Sequence, residues 1–259
     1  MVEKTTYDPQ SPLYRRTQIV YKLLRMFSGL SRKKITLTPR ASIRPSLSGT
    51  TILTNPESPD VYEHVEFMAS HVLFRSKPEL GDAFATKYGE KVAGIAAKSG
   101  MATEITTHSA SEVIRSLIDS LDTYRVLGLW GEVYPGSHVM ISDMLQRWHK
   151  NDPRNPNVFD ALRSLAIGLD VADDTPHKEA LQKALASVRD GSYEGVLVAA
   201  KRLIIAIVDE VLEAAHKEKT SKKNRLSALS DLVGQKVGAK APSKETVTQS
   251  GTSGTQSRD

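Results

Sequence analysis

The stretch VYEHVEFMASHVLFRS, residues 61–76, contains neither Gly nor Pro and reads as one helix spanning Asp60 to Arg75. Phe67, Met68, Val72 and Leu73 are expected in its core face. Two histidines share one side of it, His64 and His71. They stand seven residues apart, about 10.5 Å along the axis at ~1.5 Å per residue. Two ligands on one zinc need nitrogens within about 4 Å of each other, since each bond is roughly 2 Å. The pair therefore cannot share a zinc on a straight helix. Glu66 points about 100° away from Phe67 at ~3.6 residues per turn. Taken alone, His71 among Phe67, Met68 and Phe74 reads as a hydrogen-bonded, half-buried histidine.

Upstream, Ser11-Pro12 is a helix start, with a capping Ser and a Pro at the first helical position. Leu13 to Phe27 follows with Ile19, Leu23, Met26 and Phe27 at helical spacing, and Gly29 is the expected stop. Such a basic amphipathic helix packs on its own core or lies on a membrane surface. Residues 34–53 are rich in Ile, Thr and Leu and are punctuated by Pro39, Pro45 and Ser48-Gly49. They read as two or three short strands, with a hairpin closed near Gly49.

Downstream, helices dominate. Leu80 to Lys98 is one, with a break expected at Gly89. Ser109 or Ser111 caps another that runs to about Leu127. Ser137 caps Val139 to His149, and Asn157 to Leu169 follows. Thr175-Pro176 opens a helix ending at Gly191, and Tyr193 to Lys217 is the last long one. A short amphipathic piece, Leu226 to Val233, precedes a tail too poor in apolar residues to offset its ordering entropy, expected to be disordered from about Val237. No repeat at solenoid periods is visible.

The fold expected is α+β, predominantly α-helical, with a small N-terminal hairpin or sheet on a helical body. The division expected is a flexible N-terminus (1–11), a main domain (12–150), a helical continuation or subdomain (151–217) after a hinge at Pro153 to Pro156, and a basic tail (218–259).

The 259 residues contain no Cys, which excludes disulfides and thiolate metal sites. The longest apolar stretch, Val196 to Val208, is interrupted by Lys201 and Arg202 and is too short to span a bilayer. The first ten residues lack the apolar centre of a signal peptide. A cytoplasmic location is the simplest expectation, or a virion-associated one if the source is viral. Charge is unevenly spread: residues 1–60 carry +6, residues 61–215 carry −6 and residues 216–259 carry +5. The basic ends, with Arg15, Arg16, Lys22, Arg25, Arg32, Lys33 and Lys34 the clearest anion-contact candidates, suit nucleic acid or an acidic partner, or are simply solvated. No nucleic-acid reading module is present, and aromatics are not interleaved with these cations. Neither a phosphate-binding glycine loop nor a serine nucleophile elbow occurs.

Residues 61–76 resemble the active helix of a zinc metallopeptidase whose key residues have changed. In zincins two His at i and i+4 hold the metal, and the Glu after the first activates the bound water. With His71 aligned to the second His, Phe67 stands at the first His and Met68 at the Glu. A second stretch, Leu117 to Ser137, resembles a later motif of the peptidase-like domains found upstream of von Willebrand A domains, including those of cobalt-chelatase large subunits. Asp122 and Arg125 match its acidic-then-Arg part, and Tyr134-Pro135-Gly136 matches its end. Thr123 and Leu127 stand where acidic residues would be expected.

The resemblance covers roughly residues 12–150 and implies a degenerate zincin-like scaffold without the von Willebrand A domain. It implies a vestigial site of Phe67, Met68, His71, Asp122 and Arg125, and no cofactor, with zinc only if the site still functions. It also implies a protein partner such as an ATPase or an assembly component of a phage or other multi-gene system. Read without the resemblance, Asp122 and Arg125 at i+3 are a helix-surface ion pair, and Trp130 and Tyr134 pack a loop. Three functions stay open. One is a non-catalytic scaffold acting through protein contacts. Another is nucleic-acid binding through the basic ends. The third is a zinc hydrolase with an unconventional site of His64, Glu66, His71 and Asp122.

Overall fold

The structure is a computed structural model that describes residues 11–41, 44–98, 106–150, 158–189 and 191–217. The expected disordered tail, the expected Leu226 to Val233 piece, the expected hinge at Pro153 to Pro156 and, apart from Ser11, the N-terminus (1–11) expected to be flexible lie outside these residues. Among the described residues the chain is α+β and mostly α, with eight helices and one three-stranded sheet.

Helix α1 spans Pro12–Ser31, and the Ser11 side chain accepts from the Tyr14 amide as expected of its cap. It runs past Gly29 to a left-handed Arg32, so the expected stop is two residues early. Its buried side is Val20, Leu24 and Phe27. Ile19 and Met26, expected in the apolar stripe, are exposed instead. The helix carries more apolar residues than one face can bury, and neighbouring elements cover only the Val20 side.

Three strands follow: β1 (Thr36–Pro39), β2 (Ser46–Ser48) and β3 (Thr51–Thr54). β2 and β3 form the expected hairpin, turning at Gly49, whose φ of 59° a side-chain-free residue adopts at no steric cost. β1 pairs with β3 in parallel, giving the order β1-β3-β2. Of the three, β3 is the central strand, and its Ile52 is fully buried.

α2 (Val61–Leu73) crosses beside this sheet, and α3 (Pro78–Lys98) runs unbroken through Gly89. α4 (Thr107–Val133) starts at Thr106 rather than Ser109 or Ser111. Ser109 serves instead as the reciprocal half of a capping box on Thr106. α4 also passes Leu127, so Trp130 sits in the core and not in a loop. α5 (Pro135–Lys150) opens on Pro135 rather than Ser137. α6 (Val158–Ala166) and α7 (Lys178–Ala186) are shorter than expected, and α7 starts after a left-handed His177 rather than at Thr175. α8 spans Tyr193–Lys217, as expected.

Two apolar cores result. The first joins α3, the N-terminal part of α4, α6, α7 and α8, with Leu117, Leu121, Leu162 and Leu181 at its centre. The second joins α1, the sheet, α2, the end of α4 and α5 around Phe27, Ile52, Trp130 and Met144. α4 contributes to both and is the spine of the molecule.

Candidate functional site

The site is built on the way α2 ends. Arg75 takes a left-handed conformation, φ 57°. The Ser76 amide then reaches the His71 carbonyl at 2.8 Å and the Arg75 amide the Val72 carbonyl at 3.3 Å. This is a Schellman cap, with Arg where Gly is usual. It folds the chain back so that the Ser76 hydroxyl lies beside the His71 ring, one turn from the helix that carried it.

α4 passes across this turn and presents Asp122 and Arg125. The His71 Nδ1 lies 3.0 Å from Asp122 Oδ2, and the Ser76 hydroxyl donates to the same oxygen at 2.6 Å. Arg125 donates to Asp122 Oδ1 from Nε at 2.8 Å and from Nη2 at 2.6 Å. Its Nη1 reaches the Phe74 carbonyl at 3.0 Å and its Nη2 the Ser76 hydroxyl at 3.2 Å. Asp122 and Arg125 are 5% and 2% exposed. The expectation of a helix-surface ion pair is therefore corrected. The pair is buried because it ties α4 to the turn after α2, a partner far away in sequence.

A carboxylate only accepts, so the His71 bond requires the proton on Nδ1. Burial opposes ionisation of Asp122. The hydrogen bond and charge of His71, with Arg125 and Ser76, outweigh it and hold this carboxyl below its ordinary range. Its two oxygens accept four bonds, the full capacity of the group.

With Nδ1 engaged, the His71 ring lines a cavity of about 310 Å³. Phe67, Met68 and Asp119 also line it, with Pro45 and Leu47 from the hairpin side and Tyr193 from α8. A second cleft of about 590 Å³ shares Phe67, Met68, Asp119 and Thr123 with it and continues past Arg115 and Arg163. Asp119 is exposed at the wall of the cleft, with protein crowded around the rest of it. Burial pushes its carboxyl up to about 6, against the pull of His71 and with the repulsion of Asp122 and Asp82. Burial and the same carboxylates push the Tyr193 hydroxyl up.

The other expected residues lie elsewhere. His64 is fully buried against Trp148, with Nδ1 2.7 Å from the Thr54 hydroxyl, and burial lowers its pKa. Burial raises the Glu66 carboxyl, and Ser137 counters that rise. Neither lines the cavity that holds His71. Of the four residues of the unconventional zinc site, the structure thus brings together only His71 and Asp122. Among the described residues no three His, Asp or Glu side chains converge as metal ligands would. The basic candidates Arg15, Lys22, Arg25, Arg32, Lys33 and Lys34 are exposed on α1 and the segment after it, and Arg16 is half-buried.

Sequence reasoning missed Ser76 and Asp119. For Asp119 a signal existed: it is one turn from both Arg115 and Asp122 on α4. For Ser76 none did, because its role depends on the left-handed Arg75. Comparison of the chain with protein-family models, with curated proteins and with solved structures finds no match.

Proposed function

We propose that this chain is a non-catalytic, peptidase-like scaffold acting through protein–protein interaction. One observation carries the reading. Asp122, the α4 carboxylate that meets His71, has all its accepting capacity taken by His71, Ser76 and Arg125. Its chemistry is directed to holding α2 against α4. Phe67 and Met68, at the positions of the lost ligand and base, form an apolar wall of the cavity. The resemblance adds the partner class: an ATPase or an assembly component of a phage or other multi-gene system. The test is metal analysis after the protein is incubated with excess zinc and desalted. The expected result is no stoichiometric zinc. Stoichiometric zinc that disappears in His71→Ala overturns the reading.

A second reading has its own observation: His71 and Asp119 face one cavity. With Nδ1 protonated, the Nε2 of a neutral ring is a base, and a carboxyl titrating near 6 is a candidate acid. That pairing suits a residual hydrolase. Peptide or ester hydrolysis lost in both His71→Gln and Asp119→Asn would support it. Activity that survives either substitution would dismiss it.

A further inference from the structure

We infer that the groove between α1 and β1 is a docking site for an acidic peptide segment of a partner protein, carrying apolar side chains between its carboxylates. This rests on the interaction-based reading above and names its surface.

The groove encloses about 600 Å³. Its floor is apolar: Val20 and Leu24 from α1, Ile35 and Leu37 from the strand side, and Val61 from the start of α2. Its rim is basic, from Arg16, Arg25 and Lys34. Arg16 is tethered to the Glu57 carbonyl at 3.2 Å. Arg25 and Lys34 are exposed and make no hydrogen bond or ion pair to any described residue.

The wall of the groove also offers main chain. β1 is an edge strand. The amides of Thr36 and Arg40 donate across to Thr50 and Thr54 at 3.1 and 2.9 Å. Alternation along a parallel ladder turns the N–H and C=O of Leu37 the other way. The Ile35 amide is already taken by the Ser28 hydroxyl at 2.9 Å, and Pro39 has no N–H. Among the described residues of this edge, only Leu37 thus offers both an N–H and a C=O, too little to template aggregation but a point of main-chain pairing for a bound extended chain.

Charge selects the occupant. Between Asp8 and Glu57 the chain has no acidic residue and nine Lys or Arg. A ligand matching this rim is negative. The chain's own C-terminal segment, residues 216–259, carries +5 and is repelled. A nucleic acid has charge of the right sign but little to place on a floor of aliphatic side chains. A membrane surface cannot enter a concave groove. An acidic peptide with Leu or Val between its carboxylates satisfies floor, rim and edge together.

The experiment uses the full chain and a panel of fluorescein-labelled decapeptides in which acidic, neutral or basic residues alternate with either Leu/Val or Ser. An oligonucleotide and anionic phosphatidylglycerol vesicles complete the panel. Binding is read by anisotropy for the peptides and the oligonucleotide, and by co-sedimentation for the vesicles. The acidic Leu/Val peptides are expected to bind, and their Ser or basic counterparts to bind at least tenfold more weakly. Arg25→Glu with Lys34→Glu should weaken binding at least tenfold while leaving the melting temperature unchanged. Leu37→Ser, at the floor, should also weaken binding at least tenfold; because Leu37 packs against the second core, its circular dichroism spectrum is checked to show that the variant is folded. Preference for the oligonucleotide or the vesicles, binding indifferent to these substitutions, or no peptide binding overturns the inference. Zinc content, measured on the same preparation, separates this failure from failure of the scaffold reading.

Discussion

Asp122 and Arg125 together join α4 to the turn after α2, and removing Asp122 deprives both the guanidinium and the His71 imidazole of their carboxylate. Asp122→Ala is expected to destabilise the fold by about 3–5 kcal/mol, the range for breaking a buried ion pair, as measured by denaturant unfolding. Its stabilisation is fully present above the ordinary carboxylate pKa of about 4. It is lost as pH falls through the lower folded-state value. Asp119 has the opposite sign. Its carboxyl titrates near 6 when folded, above its ordinary value, so the folded chain binds more protons between roughly pH 4 and 6. This residue therefore makes stability fall as pH rises through that window. Asp119→Asn should raise the melting temperature at pH 7.5 and remove this part of the pH dependence, with little change at pH 4. A wild-type advantage at pH 7.5 would contradict the assignment. The sequence made His71, Asp122 and Arg125 visible through their resemblance to a motif, but not their contact. That contact spans 51 positions, and no local pattern encodes it.

At the scale of elements, the legible parts are those whose signals are local. The Ser11-Pro12 start, the hairpin at Gly49 and the whole of α8 were readable because caps, turns and periodicity act within a few residues. Gly89 shows why other parts were not. A glycine inside a helical pattern signals either a break or a close approach by another element, and sequence does not distinguish them. Here it is an approach. A Cβ on Gly89 would stand 2.9 Å from the Ser111 amide nitrogen and closer still to the Ser111 hydroxyl. Backbone cannot yield as a flexible side-chain tip can. Gly89→Ala should therefore destabilise the protein by about 1–3 kcal/mol, the cost of overpacking, although Ala is the better helix former by roughly 1 kcal/mol. Gly89→Ala with unchanged or raised stability would show that α3 and α4 are less closely docked than this. The exposed Ile19 and Met26 were misplaced for a related reason. α1 has apolar residues on more than one face, and only the neighbours decide which face is buried.

For the whole molecule the question is whether two cores make one cooperative unit. Order along the chain does not separate them. α3 packs with the helices that follow residue 157, while α5, later in the chain, packs with α1 and α2. Each core therefore needs segments from both halves of the chain. α4 runs through both, placing Leu117 and Leu121 in one and Leu127 and Trp130 in the other, with the Asp122–Arg125 anchor between them. The α4 ladder runs unbroken between the cores, so unfolding of either core removes packing from the helix that supports the other. The chain has two tryptophans, Trp130 and Trp148, and both belong to the second core. Fluorescence thus reports that core alone, whereas far-UV circular dichroism reports every helix. Leu181 is fully buried in the first core. Leu181→Ala should cost about 2–5 kcal/mol and move the fluorescence midpoint as far as the dichroism midpoint. If α4 and its buried anchor did not couple the cores, the fluorescence midpoint would stay at its wild-type value while the dichroism transition split in two.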